Sequence, residues 1–366
     1  AELAADQASA PPYGTNLTYP VEACTRLHQT SGTSSGQPLR WLDTAASWQN
    51  LLECWHTMFR MVEVGPGDRL FFPFSFGPFL GFWTAFEAAQ QIGALCLSGG
   101  GMSSSARLRF LLDNRATVVL CTPTYALRLA EAANAEGASL QASPVRMLIV
   151  AGEPGGSIST TRTRIESAWG ARLIDHNGLT EVGPVGIECL PAPGGLHLLE
   201  SDYIAEVIDP ASGQTLPVGQ VGELVLSNLR RTGSPLLRYR TGDLVKLAAL
   251  PCPCGRALVR LEGGILGRVD DMIHVRGNNV YPSALEAVLR RFTEVNEFRV
   301  EIEEAANLSR VEIQLELREG AARGDLGSRV EQAIRDELMF RAEIRLLDAG
   351  TLPRFEMKSQ RFVRKE

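Results

Sequence analysis

The stretch Thr117-Val118-Val119-Leu120-Cys121-Thr122-Pro123-Thr124-Tyr125-Ala126-Leu127 decides the reading of the fold. Its first five residues form a short apolar run suited to a strand, and Pro123 opens a segment of helical period that continues to Glu136. The same alternation extends to both sides. Runs at Arg69–Pro73, Ala94–Leu97, Arg146–Val150 and Arg172–Asp175 predict strands, and segments near Phe79–Gln91, Ser104–Asn114 and Ile158–Trp169 predict helices. Strands separated by helices of this length pair in parallel. The expectation is an α/β, doubly wound, mainly parallel sheet over about 25–185, with ligands beyond the carboxyl ends of its strands.

Further along, from about Ile187 to Leu261, short β-like runs such as Tyr203–Ile208 and Gly222–Asn228 alternate with Gly and Pro turns. They predict an antiparallel, β-barrel-like subdomain over about 186–267, completing a large N-terminal domain of 1–267. Residues 268–366 then hold 36 of the 78 charged side chains. That density predicts a smaller, more solvated domain, since small domains have more surface per residue. Its pattern is α+β: strand Met272–Val275, helix Pro282–Phe292, strands Glu297–Glu304 and Ser309–Glu316, helix Leu326–Met339 and strand Glu343–Leu347, close to a split βαβ arrangement.

A net charge of −6 with no Lys/Arg cluster excludes a dedicated nucleic-acid binder. The most apolar stretch, Leu70–Phe86, is interrupted by Pro73 and Pro78 and fails as a membrane span. No secretory signal is visible at the N-terminus, and seven cysteines, an odd number in a long chain, fit a reducing cytoplasm.

Three segments carry chemistry. Thr30-Ser31-Gly32-Thr33-Ser34-Ser35-Gly36 lies between β-like runs and offers hydroxyls and glycine amides that can converge on phosphate oxygens; taken alone it reads equally as a flexible turn. Asp175-His176-Asn177-Gly178-Leu179-Thr180-Glu181 stands at the carboxyl end of a sheet strand, where a carboxylate can hold a hard cation such as Mg²⁺, although Asn-Gly alone is a turn dipeptide. Tyr239-Arg240-Thr241-Gly242-Asp243 and Gly267-Arg268-Val269-Asp270-Asp271 supply an acid beside a glycine, suited to ribose hydroxyls, and arginines suited to phosphate. Separately, Cys189, His197, Cys252 and Cys254 form a set of N and S donors sufficient for a structural zinc ion; the alternative is four unrelated residues.

Together with Cys121–Leu127, Cys252-Pro253-Cys254-Gly255-Arg256 and Leu352-Pro353-Arg354-Phe355-Glu356-Met357-Lys358, these blocks resemble the phenylacetate-CoA ligase family of the adenylate-forming superfamily, from about Thr25 to the C-terminus. The resemblance implies an enzyme, an AMP-forming acyl- or aryl-CoA ligase that uses ATP, Mg²⁺ and coenzyme A on a small aryl or short acyl acid. Thr30, Ser31, Gly32, Thr33, Ser34, Ser35 and Gly36 would then cradle the β- and γ-phosphates. Gly152, Glu153 and Pro154, with Asp175, His176 and Asn177, would line the adenine slot. Thr180 would touch the α-phosphate, Glu181 would hold Mg²⁺, Asp243 would bind the ribose and Arg268 phosphate or ribose. Lys358 would be the adenylation lysine, its ammonium easing the meeting of carboxylate and phosphate. Asp270 would be the hinge about which the C-terminal domain swings between half-reactions. Phe76 and Phe79, and Tyr125 beside them, would line the acyl pocket, although Phe at this spacing also suits plain core.

The chain departs from the family at Gln37, where the phosphate loop usually carries lysine, and at Asn177, where an aromatic usually stacks on adenine. It also begins about 30 residues before the phosphate loop, shorter than the family's usual N-terminal segment, so that segment is either absent from this sequence or dropped in a shortened variant. These departures keep two other readings open: an adenylate passed to an amine or carrier-protein thiol, and a zinc-stapled nucleotide-binding scaffold without catalysis. A homodimer is the default oligomer.

Overall fold

The structure, a computed structural model, describes residues 2–30, 38–275, 278–303, 310–355 and 359–365. Its centre is a parallel array of the strands Arg69–Phe72, Leu95–Ser98, Val118–Cys121, Met147–Val150 and Arg172–Leu179. Crossovers run through the helices Trp83–Gln91, Ser104–Asp113, Pro123–Ala135 and Ser159–Trp169. Val118–Cys121 and Met147–Val150 are buried along their whole length, which is why they read as unbroken apolar runs. Side-chain alternation divides them between two cores. Leu70, Phe72, Val118 and Leu120 face one, while Phe71, Val119 and Cys121 face the other. At the Cys121–Pro123 junction, the Thr122 side chain accepts from the Tyr125 amide and Pro123 occupies the first turn, so the helix starts where the chain leaves the sheet.

The first core is closed by the helix Ala45–Met61, which lies outside the sequence-based assignment. Trp48, Leu51, Leu52, Trp55, Met58 and Phe59 recur on its buried face at helical spacing, and Thr44 caps it. Before it, the two β-like runs that flank the Ser/Thr/Gly segment are the strands Cys24–Gln29 and Arg40–Thr44, paired antiparallel.

Residues 186–267 depart from a single barrel. The strand Arg172–Leu179 is longer than its parallel neighbours: Arg172–Asp175 pair with Met147–Val150, whereas His176–Leu179 continue beyond them and turn back at Thr180–Val182. The hairpin strands Gly183–Cys189 and Ala192–Leu198, with Arg260–Glu262, therefore extend the large sheet in antiparallel fashion to eight strands. The remaining strands, Tyr203–Ile208, Val221–Asn228, Tyr239–Lys246 and Gly267–Arg268, form a separate four-stranded antiparallel sheet.

The C-terminal residues build their own core from Leu285, Val300, Ile313, Val330 and their neighbours. Two details differ from a split βαβ reading. Ile273–Val275 pairs with Asn278–Val280 as a hairpin instead of joining the sheet, and the tail strand Phe362–Lys365 lies parallel to Val295–Glu303 at the sheet's edge. Ahead of that strand, Arg354, Ser359 and Arg361 contact Glu131, Glu153 and Thr124 of the N-terminal domain. Among the described residues, no helix is long and apolar enough to cross a membrane.

Candidate active site

Parallel register sets the site. Cys121 lies beside Val150 and Val150 beside Asp175, so the segments that follow each strand leave the sheet at one rim. This rim gathers Thr122–Tyr125, Ala151–Pro154 and His176–Glu181.

Asp175 is buried there. The Ser157 hydroxyl donates to its Oδ2 at 2.5 Å, and its own amide donates to Glu188, both of whose carboxylate oxygens accept from Nη2 of Arg162 at 2.8 Å. Burial, with a further push from Glu188, raises the Asp175 carboxyl to about 7. The backbone at Gly156 approaches so closely that a Cβ there would stand 2.2 Å from Oδ1 of Asp175. His176 points to the opposite face of the strand. Its ring centroid is 4.5 Å from Trp55, and Nδ1 donates to the Gly186 carbonyl at 2.8 Å. Burial lowers its pKa to about 4, so the imidazole is neutral. Asp175 and His176, assigned together to the adenine slot, thus face different sides of the sheet. Asn177 is buried with neither carboxamide atom hydrogen-bonded.

The aromatic candidates separate in the same way. Phe76 packs among Phe74, Trp83 and Phe86 at 4.5–5.1 Å, in a cluster that reaches His176 through Phe82. Phe79 is half-buried nearby in sequence. Tyr125 is buried in the other core, its hydroxyl 2.9 Å from Arg107 and 3.3 Å from Ser104. The structure does not bring Tyr125 to Phe76, because the sheet stands between their cores.

At the hairpin turn, the Glu181 carboxylate accepts from the Tyr239 hydroxyl at 3.3 Å and has no Lys or Arg partner among the described residues. It is a half-buried, negatively charged oxygen donor at the rim, which suits a hard cation. Asp243 lies on the same strand as Tyr239 and pairs with Arg268 at 3.0 Å; Arg268 also reaches Asp270 at 2.9 Å. Gly242 adopts φ +76°, and a Cβ there would fall 2.7 Å from the Arg268 guanidinium.

Ser31, Gly32, Thr33, Ser34, Ser35, Gly36, Gln37 and Lys358 lie outside the described residues. The residues that flank Lys358 are held firmly. On one side Arg354 reaches Glu131 of the N-terminal domain at 3.2 Å and the buried Glu316 at 3.0 Å. On the other, the Ser359 amide donates to Glu153 at 2.7 Å, and Arg361 donates to Thr124 at 3.0 Å while forking onto Glu297. Burial opposes the Glu297 charge, yet Arg290 and Arg361 hold its pKa at about 2. The other oxygen of Glu153 accepts the Thr124 amide at 2.8 Å. Both Glu153 oxygens are therefore engaged in joining the rim to the tail.

Away from the rim, Cys189, His197, Cys252 and Cys254 place their ligand atoms within 4.8 Å of one another. The Cys189 and Cys252 sulfurs are 3.7 Å apart, and the Cys254 sulfur is 3.4 Å from Nε2 of His197. Two thiolates bound about 2.3 Å from one tetrahedral zinc stand roughly 3.8 Å apart, so the set fits the ion. Burial lowers the His197 pKa, and its Nδ1 faces the Leu258 carbonyl at 3.4 Å, leaving Nε2 for a metal.

The profile described as AMP-binding enzyme matches residues 30–229, and that of the AMP-binding enzyme C-terminal domain matches 277–365. The phenylacetate-coenzyme A ligase of Thermus thermophilus is 31% identical over 358 residues, 92% of this chain and 80% of its own length. The chain belongs to the phenylacetate-CoA ligase family of AMP-binding enzymes. Within that family's fold, it superimposes on 2-hydroxyisobutyryl-CoA ligase in the postadenylation state with 2-HIB-AMP at TM-score 0.94 and 27% identity, covering 100% of this chain and 78% of that one. Against the same ligase in the thioesterification state with 2-HIB-AMP and CoA the TM-score is 0.72, at 28% identity and with 99% and 78% covered. The chain is thus more similar to the first of these two structures than to the second.

Proposed function

We propose that this protein activates a carboxylic acid with ATP, releasing pyrophosphate, and then passes the acyl group from the acyl-adenylate to coenzyme A, releasing AMP. The observation that carries this reading is the seating of the tail on either side of Lys358: Ser359 and Arg361 bind Glu153 and Thr124 at the strand-end rim, and Arg354 binds Glu131 on the helix that leaves it. The Lys358 ammonium would stabilise charge as the carboxylate attacks the α-phosphate, with Thr180 contacting that phosphate. Glu181 would hold Mg²⁺, which when bound neutralises phosphate charge. Asp243 would take the ribose hydroxyls, with Arg268 beside them. Residues 30–36 would receive the terminal phosphates, and Gly152, Pro154, Asp175 and Asn177 would shape the adenine slot. Phe76, Phe79 and His176 would bound the acyl pocket, whose apolar walls suit an aryl or short acyl group. Thiol attack then requires the small domain to turn about Asp270, because the tail occupies the same rim. Cys189, His197, Cys252 and Cys254 would hold a structural zinc that staples the hairpin to the 252–254 loop.

Pyrophosphate release across a panel of carboxylic acids, followed by product analysis with coenzyme A or an amine as acceptor, tests the reading. An acid-dependent acyl-CoA product supports it. An amide product, or no pyrophosphate with any acid, contradicts it.

A further inference from the structure

The turn Thr180–Val182 has three consecutive backbone carbonyls, and buried side chains from distant parts of the chain hold all three. The Thr180 and Glu181 carbonyls accept from a single nitrogen of Arg231, Nη1, at 2.7 and 2.9 Å. The Val182 carbonyl accepts from the Tyr203 hydroxyl at 3.1 Å and the Asn228 carboxamide at 3.4 Å. The rest of the Arg231 guanidinium is spent on Asp43, with Nε to Oδ1 at 2.8 Å and Nη2 to Oδ2 at 2.6 Å. Both side chains of this ion pair are essentially sealed, 1% and 0% exposed. Asp43 belongs to the strand Arg40–Thr44 that leads away from the Thr30–Gly36 segment. One guanidinium thus links that strand to the turn bearing Thr180 and Glu181.

Holding two successive carbonyls fixes two peptide planes, and with them the directions in which the intervening side chains leave the backbone. Nη1 holds both carbonyls with its two N–H groups, as a carboxamide NH2 could, but only the guanidinium fork leaves Nε and Nη2 to bind Asp43 as well, so that four of its five N–H donors are used. The positive charge buried under the turn requires a partner, which Asp43 supplies.

We infer that the Asp43–Arg231 pair is a positioning device that aims Glu181 and Thr180 at the metal–nucleotide, so that affinity for divalent metal bound to ATP depends on a pair that touches neither. This inference rests on the assignment of Glu181 as the metal-binding carboxylate.

The test uses equilibrium binding of Mn²⁺·ATP, read from the paramagnetic relaxation of water, and of ATP with chelator present, so no acid substrate is needed. Arg231→Ala leaves a buried, unpaired Asp43 and is avoided for that reason. Asp43→Asn with Arg231→Met removes both charges together, and Asp43→Asn with Arg231→Gln does so while keeping a carboxamide under the turn. Both are checked for folding by circular dichroism. The expected result is about a tenfold loss of Mn²⁺·ATP affinity in the folded variant with Arg231→Met, a smaller loss in the one with Arg231→Gln, and in each a lesser fall in metal-free ATP affinity, which is left to Thr180 alone. Arg231→Lys, which keeps the charge and one carbonyl contact, is expected to lie between. Wild-type Mn²⁺·ATP affinity in a folded variant lacking the pair overturns the inference, while Glu181→Gln still weakens binding. If Glu181→Gln also binds Mn²⁺·ATP like the wild type, the assignment of the carboxylate itself is wrong and the positioning role falls with it.

Discussion

Two polar clusters are built in opposite ways. The Cys189, His197, Cys252 and Cys254 quartet is closed: four N and S donors converge within 4.8 Å, and a backbone carbonyl sets the one imidazole. The rim at the strand ends is incomplete. Glu181 lacks a cationic partner among the described residues, and the Asn177 carboxamide is buried without one. A buried polar group left unsatisfied costs about 1–3 kcal/mol, a cost that a ligand bonding the Asn177 carboxamide would offset. The quartet, by contrast, has no position left for a substrate. Stability should therefore reside in the first cluster and chemistry in the second.

The sharpest way to break that contrast is at the quartet. Cys252→Ser is expected to drop bound zinc from one ion per chain to none by plasma emission, and to lower the melting temperature by roughly 10 °C, as for the loss of a few kcal/mol in a domain of this size. Protein that still folds should keep its nucleotide affinity. Unchanged melting with no zinc in the wild type would refute the staple.

At the rim the converse is expected. Glu153→Gln weakens the acceptors for the Ser359 and Thr124 amides, removing about one charge-assisted hydrogen bond from the seated tail. Acyl-adenylate formation should fall about tenfold while melting stays within a degree or two, and transfer from supplied acyl-adenylate to coenzyme A should be unaffected. Equal loss in both half-reactions would mean that Glu153 is merely structural.

The third effect concerns pH. Asp175 has its folded-state pKa raised to about 7 from the ordinary 3.8, so the folded protein binds a proton more tightly than the unfolded chain. That contribution is complete below about pH 4 and is lost as pH rises through 7. Asp175→Asn, which stays neutral, should flatten the fall in stability between pH 5 and 8, measured by denaturant titration. A variant with the wild-type slope would place the titration elsewhere.

What the sequence made legible was local. The strands around Val118–Cys121 and the helix from Pro123 could be read because burial on both faces leaves an apolar run, and a proline marks the next turn. The helix Ala45–Met61 carried a comparable signal in its Trp48, Leu51, Trp55 and Met58 spacing, hidden beside the more distinctive Ser/Thr/Gly segment. The tail strand Phe362–Lys365 did not, since it is short, charged and only half-buried. Among site residues, Thr180, Glu181 and Asp243 belong to contiguous motifs. The tail-docking role of Glu153 depends on a residue 206 positions away, and the Asp43–Arg231 pair spans 188, so both follow from tertiary register alone. The division of Asp175 and His176 between two faces follows from strand alternation, once that stretch is known to be a strand.

Seated by Arg354, Ser359 and Arg361, the tail would bring Lys358 to the rim for adenylation and not for transfer. The most direct measurement is of the two half-reactions in Lys358→Ala, with an acid accepted by the wild type: acid-dependent exchange of pyrophosphate into ATP, and acyl-CoA formation from synthetic acyl-adenylate. The account predicts that exchange falls by about a hundredfold or more while transfer proceeds at close to the wild-type rate. Exchange at the wild-type rate, or loss of both steps together in a folded protein, would contradict it.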